Sequence, residues 1–332
     1  MQTILVTEPE FLKAEEIFRQ AGDVHCEPAS PDENALAELV VKRGARAVIV
    51  GVAPYRGPLY EALGKQGGAL IARFGVGHDN IDKALARQHG IVVTNTPGVL
   101  DESVAELTIW LMGCLARRIA RLDAGVRAGE FAGQTGAELH GKTLGILGLG
   151  NIGRRVAAMA HFGFGMKLVA CGCRATAERL AECGIAFYSD DAEEVFRQSD
   201  ILSVHLRSDA STRHFINAER LAWLKPGALL INTARGAVLD EAALFEALVG
   251  RRLAGAALDV FEHEPYQPVQ PDKDLRQLEN VVLTPHIGSN TREANERMAA
   301  ASLGNVRNFF AGRLDRLSRV DLPPQPIAHS NA

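Results

Sequence analysis

Short apolar runs with almost no polar residues recur along the chain, and amphipathic stretches separate them. In the first third these runs are Ile4–Val6, Ala47–Gly51, Ala69–Ala72 and Ile91–Thr94. Runs of this length without apolar–polar alternation are typical of strands covered on both faces. Helical segments between such strands predict a parallel sheet with right-handed crossovers. The sequence therefore predicts an α/β fold.

A second series of the same kind follows a long helical pattern from Ser103 to about Val126. Its predicted strands are Thr143–Gly148, Lys167–Cys171, Ile185–Tyr188, Ile201–His205, Ala228–Asn232, Gly255–Asp259 and Val281–Thr284. A last helix is predicted from about Thr291 to Ala311. Two series in 332 residues imply two doubly wound domains. Periodicity leaves open which domain the last helix joins.

Composition argues against several classes of function. Lys and Arg number 36 against 40 Asp and Glu, and this net charge of −4 disfavours binding to nucleic acid or anionic membranes. The longest apolar stretch, Leu107–Ala116, is too short to span a bilayer, and Met1–Thr7 lacks the pattern of a signal peptide. The histidines show no HxH or HExxH spacing, so no metal site is expected. We expect a cytoplasmic protein that acts on a small molecule.

A glycine-rich turn follows the first strand of the second series. Gly148-Leu149-Gly150-Asn151-Ile152-Gly153 has the spacing GxGxxG, with a predicted strand before it and a predicted helix after it. In this setting the first glycine allows the tight turn, the second admits a pyrophosphate, and the third lets helix and strand pack closely. We expect Gly148, Gly150, Asn151, Ile152 and Gly153 to bind a dinucleotide at the helix N-terminus.

The next strand, Lys167–Cys171, is not followed by the carboxylate that usually binds the adenine ribose. Gly172 stands at the expected position, and Arg174 follows two residues later. A missing carboxylate removes a charge that repels a 2′-phosphate, and an arginine offers a cation to hold one. We therefore expect NADP(H) in preference to NAD(H), with Arg174 as the phosphate ligand.

Three later segments each follow a predicted strand, where open α/β sheets bind ligands. They are Ile231–Gly236, Leu258–Pro265 and Thr284–Ser289, and they carry Arg235, two glutamates and His286. A guanidinium pairs with a carboxylate through two hydrogen bonds, and an imidazolium paired with a carboxylate can donate a proton to a forming alkoxide. These residue types suit the reduction of a 2-oxo acid.

The residues alone leave alternatives within these segments. Glu262 and Glu264 project to the same side of an extended chain, so either could pair with the histidine. His263 lies between them and should point the other way, which favours His286. Asp259 ends its strand, and both a cofactor contact and a turn cap are open to it.

These segments, together with Gly75–Asp82 and the glycine turn, resemble the D-isomer-specific 2-hydroxyacid dehydrogenase family. The resemblance covers roughly Ile4 to Arg313, and its most specific parts are NTARG, DVFEHEP and TPHIGS in that order. It implies a Rossmann-type nucleotide domain, residues 99–287, inserted into a flavodoxin-like substrate domain, residues 1–98 plus 288–332. Both would be doubly wound parallel sheets, and the last helix would complete the substrate domain.

The resemblance also implies roles for individual residues. Arg235 would bind the substrate, His286 would be the general acid in reduction, and Glu264 would pair with His286. Backbone N–H groups of Val76 and Gly77 would contact the substrate carboxylate. The nicotinamide end of the cofactor would meet four residues, namely Thr233, Ala234, Arg235 and Asp259.

The family implies a reductase of small 2-oxo acids such as glyoxylate or hydroxypyruvate, forming a homodimer through the long helix from Ser103. Two alternatives are similar to other branches of the family. One is a short-form phosphoglycerate dehydrogenase that uses NAD, because 332 residues leave no room for the regulatory domain of the long forms. The other is a nucleotide-sensing corepressor that resembles these dehydrogenases.

Overall fold

A computed structural model describes residues 1–172 and 176–322, so Arg174 lies outside the described residues. The chain divides into two compact units. One consists of Met1–Leu100 and the chain from Asn290 onward, and the other is Asp101–Ser289. The boundaries predicted above lie two residues before these.

The first unit begins with five strands and five helices: β1 (Gln2–Thr7), α1 (Glu8–Lys13), α2 (Glu15–Arg19), β2 (Val24–Ala29), α3 (Glu33–Arg43), β3 (Ala47–Val50), α4 (Pro58–Gly64), β4 (Ala69–Arg73), α5 (Lys83–Gln88) and β5 (Ile91–Thr94). All pairings are parallel, in the order β2-β1-β3-β4-β5. This is the flavodoxin-like order.

The second unit contains α6 (Asp101–Ala116), α7 (Ile119–Arg127), β6 (Thr143–Leu147), α8 (Asn151–Ala158), β7 (Lys167–Cys171), α9 (Ala177–Glu182), β8 (Ile185–Tyr188), α10 (Ala192–Gln198), β9 (Ile201–Val204), α11 (Ala218–Trp223), β10 (Ala228–Asn232), α12 (Glu241–Val249), β11 (Leu253–Leu258) and β12 (Val281–Leu283). Its parallel sheet has the order β12-β11-β10-β9-β6-β7-β8. The order reverses between β6 and β9, which makes this the switch point of a Rossmann-type sheet.

The last helix, α13 (Arg292–Phe310), belongs to the first unit and packs against β4. Thr291 caps its N-terminus by accepting a hydrogen bond from the Ala294 N–H over 3.2 Å. The question that periodicity left open is thereby answered.

Each sheet buries apolar side chains on both faces. In the second unit, Leu147 contributes to one core cluster, while Ile146 and Leu144 contribute to another. Neighbouring strand residues point to opposite faces, so these clusters cover the two sides of the sheet. Strands buried on both sides explain the apolar runs that predicted them.

The prediction of a single helix from Ser103 to about Val126 is wrong. The structure has α6 and α7 instead, because Arg118 between them adopts a left-handed conformation with φ 57°. A left-handed residue cannot continue a right-handed helix. The sequence concealed the break because helical periodicity continues on both sides of it.

Strand β2 was not predicted. Its sequence, Val24-His25-Cys26-Glu27-Pro28-Ala29, mixes polar residues and a proline with apolar ones. The strand lies at the sheet edge and pairs only with β1, and an edge position tolerates both polar side chains and proline.

The sequence also predicts a helix over Phe11–Gln20 and a helical segment over Asp79–Gln88, and both have different bounds in the structure. The segment Phe11–Gln20 forms α1 and α2, which meet at Ala14, where the backbone leaves the helical region at φ −145°. The segment Asp79–Gln88 becomes helical only at Lys83, because Asp82 acts as the N-cap and accepts from the Ala84 and Leu85 N–H groups.

Within the described ranges, no helix combines the length and apolar character that a bilayer crossing requires. Among the same residues, no group of three or more His, Cys, Asp or Glu side chains is arranged to hold a metal ion.

Candidate active site

The glycine turn after β6 packs closely against neighbouring backbone. Gly148 has φ 96°, and its N–H donates to the Cys171 carbonyl over 2.9 Å. A Cβ at Gly148 would overlap the His205 carbonyl, and a Cβ at Gly153 would overlap the Gly148 carbonyl. Gly150 is the N-cap of α8, and a Cβ there would meet open space among the described residues. The turn therefore leaves room at a helix N-terminus for a pyrophosphate.

Gly172 lies against the same turn. Its φ is 108°, and a Cβ would lie 3.0 Å from the Gly148 Cα. Its carbonyl accepts a hydrogen bond from the Tyr188 hydroxyl. A side chain at this position would be both strained and crowded, which accounts sterically for the missing carboxylate.

His286 and Glu264 are brought together by the loops that follow β12 and β11. The His286 Nδ1 lies 2.7 Å from the Glu264 Oε2, and 31% of each side chain is exposed. The other oxygen, Oε1, accepts a hydrogen bond from the Phe261 N–H over 3.0 Å. His286 has φ 52°, a left-handed conformation that turns its ring back toward the β11 loop.

The charge state of Glu264 follows from these contacts. Burial alone would raise the pKa of Glu264. The opposing effects are together larger, and they come from the hydrogen bond and charge of His286, the Phe261 N–H and the charge of Arg235. The net result is a pKa below the ordinary glutamate value. Glu264 is therefore an ionised acceptor for the imidazole at neutral pH.

Arg235 is held by the loop that follows β10. Asn232 donates through Nδ2 to the Arg235 carbonyl over 3.0 Å and accepts the Ala234 N–H at Oδ1 over 3.0 Å. The Arg235 Nη1 donates to the Ala234 carbonyl over 2.6 Å. Thr233 shares a 2.8 Å hydroxyl hydrogen bond with Thr108 of α6. Arg235, Glu264 and His286 therefore lie at the carboxyl edge of one sheet.

Asp259 ties the His286 loop to the end of β11. Its carboxylate accepts hydrogen bonds from the Thr284 hydroxyl over 2.6 Å, the Ile287 N–H over 2.9 Å and the Gly288 N–H over 2.8 Å. Burial raises the pKa of Asp259, although these three hydrogen bonds oppose the rise. The sequence predicted a cofactor contact or a turn cap, and it missed this anchoring of the loop that bears His286.

The two glutamates of the β11 loop have different partners. The Glu262 Oε2 lies 2.7 Å from the His214 Nε2, and its Oε1 accepts the Glu241 N–H over 3.1 Å. Glu264 is the one that contacts His286. The choice that the residues left open is thereby settled by geometry, because the loop does not continue the regular alternation of a strand.

In the first unit, the loop after β4 carries Val76 and Gly77. Gly75 has φ 136°, and its N–H donates to the Thr96 hydroxyl over 3.0 Å. The Val76 carbonyl accepts from the Asn95 Nδ2 over 2.8 Å. These contacts fix the loop to the end of β5.

The family model for the NAD binding domain of D-isomer specific 2-hydroxyacid dehydrogenases matches residues 109–288, which is more than half of the chain. The chain belongs to this family. As a 2-hydroxyacid dehydrogenase it is a nicotinamide-dependent oxidoreductase, and its Rossmann-type sheet is the one that carries Arg235, Glu264 and His286.

Three relatives illustrate how closely this dehydrogenase matches known ones. The glyoxylate reductase of Thermococcus litoralis is 44% identical over 254 residues, covering 74% of this chain and 75% of that protein. The D-lactate dehydrogenase of Aquifex aeolicus, solved with NAD and lactic acid, superposes with a TM-score of 0.84 at 29% identity, covering 96% and 99% of the chains. An NADPH-dependent glyoxylate/hydroxypyruvate reductase of Sinorhizobium meliloti, solved with NADP and malonate, superposes with a TM-score of 0.78 at 30% identity. The match covers 93% of this chain and 94% of that one.

Proposed function

We propose that this dehydrogenase reduces small 2-oxo acids of the glyoxylate and hydroxypyruvate class to 2-hydroxy acids, with the D configuration where the product is chiral. The observation that carries the proposal is the 2.7 Å contact of His286 with an ionised Glu264, beside Arg235. The similarity to the glyoxylate reductase of Thermococcus litoralis supports the choice of substrate class.

The glycine turn fits a dinucleotide. Gly148 and Gly153 carry no Cβ, so the close backbone contacts that give the turn its shape can form. Gly148, Gly150, Asn151, Ile152 and Gly153 would hold the pyrophosphate, and Thr233, Ala234, Arg235 and Asp259 would lie toward the nicotinamide. When bound, the reduced nicotinamide supplies the hydride that the substrate carbonyl carbon accepts.

His286 delivers the proton that completes the reduction. The imidazolium donates it to the carbonyl oxygen as negative charge develops there, so the carbonyl group becomes a hydroxyl group and the imidazole becomes neutral. Glu264 accepts the Nδ1–H and stabilises the charged ring, which leaves Nε2 for the substrate. In the reverse direction the neutral ring takes the hydroxyl proton.

Arg235 orients the substrate. Its planar guanidinium offers paired donors that match a carboxylate, and its charge polarises the neighbouring carbonyl. The Asn232 contacts hold its backbone in an extended conformation with φ −147°. The backbone of Val76 and Gly77 is our further candidate for a substrate carboxylate contact.

For the cofactor we favour NADP(H) over NAD(H). Support comes from Gly172, which contributes no carboxylate of its own at the end of β7, and from Arg174 two residues later in the sequence. The similar Sinorhizobium meliloti reductase is NADPH-dependent.

We also propose a homodimer formed through the second unit. Large apolar side chains along α6, α7 and the segment after them are exposed to solvent in the single chain. Trp110 is 69% exposed and Phe131 is 98% exposed, and Ile119 and Val126 are each more than half exposed. Apolar surface in this amount on neighbouring elements marks an association face.

The test is the loss of reduced-nicotinamide absorbance, with NADPH beside NADH, against glyoxylate, hydroxypyruvate, pyruvate and phosphohydroxypyruvate. We expect turnover with the unphosphorylated acids and a higher kcat/KM with NADPH. Selective turnover of the phosphorylated acid with NADH would replace the proposal with a phosphoglycerate dehydrogenase. Cofactor binding without turnover of any acid would favour the corepressor.

A further inference from the structure

A second hydrogen-bonded cluster lies behind the loop that bears Glu264. Glu241, the first residue of α12, exchanges hydrogen bonds with Glu262. The Glu262 N–H donates to the Glu241 Oε1 over 2.6 Å, and the Glu241 N–H donates to the Glu262 Oε1 over 3.1 Å. His214, with φ 48°, completes the cluster through its 2.7 Å contact with Glu262. Three side chains from three separate segments of the chain are thereby joined.

A buried carboxyl group with a second carboxyl group nearby favours its neutral form. Glu241 is 2% exposed, and its Oε2 is buried without a hydrogen-bond partner among the described residues. Burial, reinforced by the charges of Glu262 and Glu264, raises the pKa of Glu241 to about 7, against the lowering effects of the Glu262 N–H and His214. The phenol of Tyr266 also lies within electrostatic reach of Glu241.

The cluster controls the backbone from which Glu264 extends. Glu262 and Glu264 are separated by one residue, and Glu264 itself accepts the Phe261 N–H. The loop is therefore fixed at the Glu262 N–H by Glu241, at the Glu262 carboxylate by His214, and at Phe261 by Glu264. A shift at either of the first two points would move the carboxylate that orients His286.

We propose that Glu241, Glu262 and His214 are positioning residues for Glu264, and that the charge of Glu241 adjusts the strength of the Glu264–His286 pair. The inference rests on the proposed function, in which that pair supplies the proton. Ionised Glu241 adds negative charge near Glu264 and so favours the imidazolium. Neutral Glu241 removes that support.

The test compares Glu241→Gln with Glu246→Gln. Glutamine keeps the size of the side chain and an oxygen for the Glu262 N–H but cannot ionise. Glu246 lies on the same helix and pairs with Lys273 over 2.8 Å at the surface, which makes it the matched control. We expect kcat/KM for reduction in Glu241→Gln to equal that of the parent at pH 6 and to fall about threefold at pH 8.5, since the lost charge shifts the alkaline limb by roughly half a pH unit.

A purely structural effect would lower the rate equally at both pH values, and this outcome would overturn the charge role of Glu241. A Glu241→Gln profile that matches the Glu246→Gln control would overturn it as well.

The role of His214 in holding the loop is tested by His214→Asn, since asparagine tolerates the left-handed backbone at this position. We expect kcat to fall about tenfold with the KM for the cofactor unchanged, because the reacting groups are misplaced. An unchanged kcat would remove His214 from the positioning set.

A readout without turnover separates this inference from the proposed function. The pH curve of the downfield proton resonance of the His286 Nδ1–H, hydrogen-bonded to Glu264, should coincide in the parent and Glu241→Gln at pH 6 and separate above pH 7, where Glu241 is ionised in the parent. The curve of Glu246→Gln should follow that of the parent throughout. An inactive parent that shows this pattern would contradict the proposed function alone, whereas the same curve in the parent and Glu241→Gln would contradict the inference alone.

Discussion

At the scale of single residues, the proposed chemistry rests on one carboxylate that is mostly removed from water and yet ionised. Burial opposes the charge of Glu264, while the contacts with His286 and Phe261 and the charge of Arg235 favour it and prevail. An ionised Glu264 gives the imidazole a fixed orientation and stabilises its protonated form. The pair is therefore suited to donate a proton in one direction and accept one in the other.

Glu264→Gln should reveal this dependence on charge. The amide keeps the shape but does not stabilise the imidazolium, so the protonated ring should persist only at lower pH. We expect the alkaline limb of the reduction profile to move down by about one pH unit. The activity for oxidation, which needs the neutral ring, should extend to lower pH. Profiles of kcat/KM in both directions provide the measurement, and limbs that stay in place would show that Glu264 does not control the proton of His286.

The residue types of the site could be predicted from the sequence, whereas the pairing within the β11 loop could not. Regular alternation places Glu262 and Glu264 on one side of an extended chain. The folded loop instead directs Glu262 to His214 and Glu264 to His286. His214 and Glu241 belong to no sequence motif, because their contacts arise only when three separate segments of the folded chain meet.

At the scale of elements, the loops at the carboxyl edge of the second sheet support one another. Gly236, after β10, packs so closely on the β11 loop that a Cβ would overlap the Phe261 carbonyl. Asp259 at the end of β11 binds the loop after β12 through three hydrogen bonds. Positions of Arg235, Glu264 and His286 are therefore coupled through backbone contacts.

Gly236→Ala should test this coupling. The added methyl group must displace the Phe261 backbone, and a displacement of about 1 Å at reacting groups costs on the order of 10²-fold in kcat. Gly304→Ala in α13 is the control, because a Cβ there has no neighbour within 4 Å among the described residues, and alanine should stabilise the helix by about 0.5–1 kcal/mol. Steady-state kinetics and thermal unfolding of both variants give the comparison. Full activity in Gly236→Ala would mean that the loop adapts without moving Glu264.

Elements buried on both faces were predictable, and elements shaped by an edge or a single residue were not. Apolar runs marked β3, β4, β6 and β9 because both of their faces are covered. Strand β2 was not predicted, because its edge position permits polar residues and Pro28. The break between α6 and α7 was not predicted either, because one left-handed residue, Arg118, leaves the helical periodicity around it unchanged.

At the scale of the whole molecule, strand order is the feature that sequence patterns indicate least. The runs show that strands exist, but pairing across crossovers depends on which faces the helices cover. The flavodoxin-like order and the Rossmann-type order were predicted only from the resemblance of three motifs to a family. The sheet topology confirms both. Those motifs lie at strand ends, where topology concentrates function.

The exposed apolar side chains of the second unit predict association of two chains. Phe131→Asp should place a charge in the contact and weaken dimerisation by about 30-fold, as expected for loss of a buried aromatic anchor. Phe162→Asp is the matched control, because this phenylalanine is 70% exposed and lies outside α6, α7 and the segment after them. Light scattering over a dilution series measures both. A monomeric parent, or equal dissociation of the two variants, would contradict the proposed dimer face.

The most direct test of the central claim is the turnover of His286→Asn beside its affinity for NADPH. Asparagine accepts the left-handed backbone of this position, so the loop should keep its shape while the transferable proton is lost. We predict that kcat for glyoxylate reduction falls by about 10²–10⁴-fold, while the Kd for NADPH stays within about twofold of the parent. A variant that reduces glyoxylate as fast as the parent would show that another group supplies the proton, and the assignment of His286 would be wrong.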